Sequence, residues 1–257
     1  MLPLFQLFLA VFAVYSALRF PEETRLFVAL GCLVSMLIVA RLDKRTSERQ
    51  AARKTFLQSE INKIWKKEST TIKEQDFFTI DSLLWPKSEL LLIDAVHFIF
   101  KDLGFTISAG IKYHSVDRIV RIPGTQEIFG LEMLISEGEL EENHPKLSRA
   151  LEFEKEKREM EKTLIIGSTH THLPLSDRGQ VHHMSKHLQD FLVRHSISFI
   201  SSHRLYELWQ KAKGGEVDLF GIFEQIYTHP GGIVSLKGTG QTRVPSFGVP
   251  TPSTTPH

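Results

Sequence analysis

A chain of 257 residues, 42% hydrophobic and 24% charged, is long enough for one full-sized domain with additional elements. Its formal net charge of +1 excludes a strong electrostatic footprint for nucleic acid over the chain as a whole. A single cysteine, Cys32, excludes a disulfide framework within the chain and fits a soluble part held in a reducing compartment.

The first elements are apolar. Leu2 to Leu18 is uncharged, and Leu26 to Ala40 is a second apolar run, with Pro21 as a helix stop in the polar segment between them. Each run is a little short of the roughly 20 residues that a membrane helix prefers. Flanking Arg19, Arg25 and Arg41 can snorkel and extend the span. A pair of core helices or a cleaved signal peptide are the rival readings, and the second lacks basic residues near its start. Residues 1–41 are therefore read as a transmembrane hairpin. The basic cluster Arg41, Lys44, Arg45, Arg49, Arg53 and Lys54 sets the orientation, with both the N-terminus and the C-terminal domain on the cytoplasmic side of the inner (plasma) membrane. The same cluster can meet anionic lipid head groups.

Residues 42–68 lack glycine and proline and space Ala52, Phe56, Ile61 and Trp65 at helical intervals, which predicts a juxtamembrane helix continuing from the second span. Self-association through the hairpin and this helix is one expectation, and protein partners are another. Residues 69–85 form a connector whose FFTI and LLW segments pack on the domain that follows. That domain runs over 86–235, and 236–257, rich in Gly, Pro, Ser and Thr, is read as a disordered tail.

Within 86–235, Ser88 is the N-cap of an amphipathic helix that Gly104 ends. Strands are predicted over 105–110, 115–122 and 127–136, with Pro123-Gly124 turning the chain between the last two. A charged helix over 144–161 leads to a short apolar strand over 163–168. A helix over 177–195, a strand over 196–202 and a helix over 203–212 follow. The order α-β-β-β-α-β-α-β-α predicts an α/β fold, a mixed sheet flanked by helices on both faces.

Two acids stand out in the hairpin. Strand alternation places Glu132 and Leu134 on one face of the third strand, with Phe129, Leu131 and Met133 on the other. Asp117, on the second strand, joins Glu132 if it points the same way. As ordinary strand residues, Asp117 would pair with Arg118 or Arg121 and Glu132 with a nearby lysine. The loop SEGELEEN over 136–143 carries Glu137, Glu139, Glu141 and Glu142, which repel a phosphate backbone.

Over residues 86 to 212 the sequence resembles the PD-(D/E)xK nuclease superfamily, the restriction-endonuclease-like fold. The resemblance rests on the element order, on Asp117, and on Glu132-Met133-Leu134 at the place of the family's E-x-K. It implies that Asp117 and Glu132 hold Mg²⁺ and that the substrate is DNA. Leu134 departs from the pattern, since leucine has neither the charge nor the proton of the family's lysine, and Val116 replaces a proline often found before the first acid. Some members recruit a lysine from the next helix, for which Lys146 is the candidate here, with Lys155 and Lys157 further along and solvated. The expectation is a membrane-anchored module with an impaired or inactive catalytic site, binding nucleic acid or protein at the cytoplasmic face. The alternative is an active Mg²⁺-dependent DNA endonuclease using Asp117, Glu132 and Lys146 as catalytic residues.

Five histidines lie between residues 168 and 187. His183 and His187, at i and i+4 on the predicted helix, could hold zinc with His170 or His172. Surface histidines without a metal are the preferred reading.

Overall fold

The computed structural model describes residues 11, 15, 21–64, 76–110, 116–179 and 181–234. The first apolar run lies almost wholly outside the described residues, as do Trp65, the start of the connector and the C-terminal tail. The chain divides into two compact units, Met1–Thr71 and Ile72–His257.

In the first unit, α1 (Glu22–Ile64) is a single uninterrupted helix that carries both the second apolar run and the basic segment. It begins directly after Pro21, where a proline's fixed backbone suits a helix start. Phe27, Leu30, Leu33, Leu37 and Ile38 are all exposed along it. Among the described residues, no helix is long and apolar enough to cross a membrane, so the expected pair of spans is not found there.

The second unit is an α/β fold built on a mixed six-stranded sheet whose strand order follows the chain. Its strands are β1 (Thr106–Ala109), β2 (Arg118–Arg121), β3 (Ile128–Ile135), β4 (Glu161–Ser168), β5 (Ser198–Ser201) and β6 (Gly232–Ile233). The pairs β1–β2 and β2–β3 are antiparallel, and β3–β4, β4–β5 and β5–β6 are parallel. Residues Phe129 to Leu134 of β3 and all of β4 are buried, as expected of central strands covered on both faces.

One face is covered by α2 (Phe77–Leu84), α3 (Glu89–Asp102), α7 (Ser202–Lys213) and α8 (Leu219–Thr228). There Phe129 meets Phe223 of α8 with ring centroids 6.2 Å apart, and Phe223 in turn meets Phe100 of α3 at 5.5 Å. The other face is covered by α4 (Pro145–Glu156) and α6 (Lys186–Arg194). Leu134 and Ile165 of the sheet join Leu147 and Ala150 of α4 and Leu188 and Leu192 of α6 in one apolar cluster.

Several expectations change. The connector forms α2, which packs on α3 and α7. Where one helix was expected over 177–195 there are two, α5 (Leu175–Arg178) and α6. Ser185 caps α6 by accepting from the Leu188 amide at 3.1 Å, so the segment before it cannot be helical. The elements α8 and β6 were not expected from the sequence.

Candidate active site

The antiparallel register of β2 and β3 sets the site. Arg118 lies opposite Leu131 and Ile119 opposite Gly130, and Asp117 stands one residue before this paired stretch. The Asp117 amide donates to the carbonyl of Leu131, the residue already paired with Arg118, at 3.0 Å, so the strand departs from the regular register here. Its side chain is pinned too, because Oδ2 accepts from the Met133 amide at 3.0 Å. Both acids meet Lys146 and Arg149 of α4, so both lie on the face that α4 covers.

α4 approaches this face closely because β3 carries a glycine there. A Cβ on Gly130 would lie 2.4 Å from the ring of Phe153, so only glycine leaves room for that ring. Phe153, Ala150 and Leu147 thus fix the inward stripe of α4 on the sheet. Lys146 and Arg149 stand beside this stripe, one turn apart, where spacings of three and four residues share a helix face. Pro145 occupies the first turn, and His144 Nδ1 accepts from the Lys146 amide at 3.2 Å.

The result is a quartet of charges. Lys146 Nζ lies 2.6 Å from both Asp117 oxygens and 3.3 Å from Glu132 Oε2. Arg149 reaches Asp117 Oδ1 at 3.3 Å with one terminal nitrogen and Glu132 Oε1 at 3.2 Å with the other. Glu89, the first residue of α3, approaches Lys146 Nζ at 3.8 Å. The side chain of Glu132 is 0% exposed, Asp117 8% and Lys146 9%, while Arg149 and Glu89 are 37% and 44% exposed and form the mouth.

Burial is the largest influence on Glu132, and it pushes the carboxyl from 4.5 up to about 8. The neighbouring Asp117 charge pushes the same way, while Lys146 and Arg149 pull it down. Both Glu132 oxygens are fully buried, and the partners they meet are the two cations, Lys146 at 3.3 Å and Arg149 at 3.2 Å. Two neighbouring carboxylates supply the oxygen ligands that a hard cation takes. Among the described residues, no group of three or more His, Cys, Asp or Glu side chains is placed to hold a metal ion. Mg²⁺ does not need such a group, because it commonly binds through one or two carboxylates and completes its shell with water and phosphate.

Leu134 points to the same face but one step beyond the acids, fully buried among Leu147, Ala150 and Ile165. Burying such a side chain contributes about 2 kcal/mol to stability. The position where the resembling family keeps its lysine is thus an apolar packing position here.

The histidines disperse. His183 precedes α6 while His187 lies in its first turn, so they do not share a helix face. His183 Nδ1 contacts Thr169 Oγ1 at 2.7 Å, and His187 Nδ1 contacts Glu142 at 2.5 Å. His170 and His172 contact the carbonyls of His182 and Glu137 at 2.8 and 2.6 Å. These contacts tie the segment to the acidic loop rather than to a common centre.

The structure brings Asp117, Glu132 and Lys146 together. Arg149 and Glu89 were missed, and neither Arg118 nor Arg121 pairs with the Asp117 carboxylate in the way a plain strand residue would suggest. Arg118 instead donates to the Asp117 carbonyl at 2.9 Å. Comparison of the chain with family models, curated proteins and solved structures gives no match.

Proposed function

We propose that the second unit is a restriction-endonuclease-like domain and an active Mg²⁺-dependent DNA endonuclease, in which Lys146 on α4 does the work of the lysine missing from position 134. The observation that carries this reading is the placement of the Lys146 ammonium, 2.6 Å from Asp117 and 3.3 Å from Glu132. An inactive module would have no need of a buried lysine on two buried acids, since a buried ion pair is often no better for stability than apolar packing.

Asp117 and Glu132 would hold the cation. Bound Mg²⁺ supplies positive charge at the phosphate and acidifies water. Lys146 donates hydrogen bonds that orient the attacking water and offsets charge gathering on the phosphate. Burial holds the Glu132 carboxyl up at about 8, and a cation held there would favour its ionised form. Asp117, held by the Met133 amide, keeps its oxygens directed at the centre.

Attachment to membrane lipid by an N-terminal hairpin is part of the proposal. Its support is the exposed row Phe27, Leu30, Leu33, Leu37 and Ile38 on α1, followed by the basic segment from Arg41. Retention of the chain in the pellet after alkaline extraction of membranes is expected, and release into the supernatant would remove this part. For the enzyme, nicking of supercoiled plasmid in Mg²⁺ that stops in EDTA and in Glu132→Gln is expected. Wild-type protein that leaves plasmid intact in both Mg²⁺ and Mn²⁺ would return the domain to a non-catalytic nucleic-acid- or protein-binding module.

A further inference from the structure

The two cations of the quartet are not equivalent. Lys146 is sunk in the site and donates to both Asp117 oxygens at 2.6 Å. Arg149 makes longer contacts, 3.2 and 3.3 Å, and it is the one of the pair with more than a third of its side chain exposed. It spans both acids with separate terminal nitrogens, so the edge that carries them is directed at the two carboxylates. A guanidinium carries five donors in a rigid fork that matches two phosphate oxygens. A divalent cation on the acids would compete with Arg149 for their oxygens and add positive charge that favours an anion. The loop with Glu137, Glu139, Glu141 and Glu142 leads into the N-terminus of α4, and Arg149 lies about 7 Å further along the helix from its His144 cap. Repulsion by that loop directs a polyanion to the Arg149 side.

We infer that Arg149 is the residue that grips the scissile phosphodiester of the DNA, by turning its fork outward from Asp117 and Glu132, while Lys146 stays with the acids. The assignment rests on the nuclease reading. It gives the two cations separate tasks: Arg149 binds substrate and Lys146 serves the chemical step.

The test uses the full chain in detergent and a labelled oligodeoxynucleotide, with binding read by fluorescence anisotropy in EDTA and cleavage read in Mg²⁺. Arg149→Gln is expected to weaken binding about tenfold and to raise KM with a smaller change in kcat. Arg149→Lys recovers part of the loss, since lysine restores charge but not the fork. Lys146→Gln keeps the oligonucleotide affinity and loses kcat. Arg149→Gln that binds as tightly as wild type, or that lowers kcat with KM unchanged, overturns the assignment while leaving the nuclease reading standing. Wild-type protein that neither binds nor cleaves the oligonucleotide sinks the nuclease reading itself, and this assignment with it. Thermal melts establish that each variant is folded; if Arg149→Gln is not, Arg149→Lys with full wild-type affinity and KM counts against the fork.

Discussion

Raising the pH from 5 to 9 is a direct perturbation of the site, because it asks a fully buried carboxyl to ionise. In the unfolded chain Glu132 loses its proton near 4.5, and in the folded chain burial and Asp117 hold it until about 8. Between those values the native state binds more protons than the unfolded state, so stability falls as pH rises. At about 1.4 kcal/mol per pH unit, the gap amounts to about 5 kcal/mol across the window. Glu132→Gln keeps the shape and cannot ionise. Urea unfolding followed by tryptophan fluorescence, at each pH, gives the difference between the two proteins and cancels other titrating groups. His183 and His203, whose burial lowers their proton affinity, act with the opposite sign, stability falling as pH drops below their ordinary 6.5. The variant should gain several kcal/mol on wild type between pH 5 and 9. Parallel profiles for the two proteins would refute the account of Glu132 as a carboxyl kept neutral by burial.

Other consequences follow from the same geometry. Binding of Mg²⁺ at pH 7 should expel about one proton, from Glu132, seen by calorimetry in buffers of different ionisation enthalpy; heats independent of buffer would count against Glu132 as a ligand. Leu134→Lys puts an ammonium among Leu147, Ala150 and Ile165 and should cost about 2–4 kcal/mol, read as a fall in Tm. An unchanged Tm would mean that position 134 opens to the site after all. Gly130→Ala drives a methyl into Phe153 and should cost about 1–3 kcal/mol, while loosening α4 enough to lower cleavage; a variant of wild-type stability and activity would show that α4 is not held by that contact.

Much of this was legible in the sequence, and what was not has physical reasons. The hairpin and the face that Glu132 shares with Leu134 follow from alternation, while the direction of Asp117 stays open in the sequence because it stands just outside the paired stretch. Lys146 was visible as a lysine early in a helix that follows the second acid. Arg149 was equally available, one turn on, but in a helix dense with Glu, Lys and Arg only packing reveals which charges are drawn inward. Glu89 reads as an ordinary acid in a first helical turn, where the helix dipole already accounts for it. The segment before α6 has the polar composition of a helix, but Gly179 ends α5 and Ser185 caps α6, which breaks it in two. The spacing of Leu219, Ile222, Phe223 and Ile226 marks α8, but the glycine pairs 214–215 and 231–232 on either side look like loop. At two residues, β6 is too short to show any alternation.

The central claim is that a lysine on α4 replaces the one absent from the strand, and single-turnover cleavage of a labelled DNA duplex in Mg²⁺ tests it most directly. Full-length wild type should cleave, and Lys146→Ala should be slower by about a hundredfold or more with its fold intact. Cleavage by Lys146→Ala at the wild-type rate would contradict the account, since the ammonium on Asp117 and Glu132 would then be only a structural ion pair.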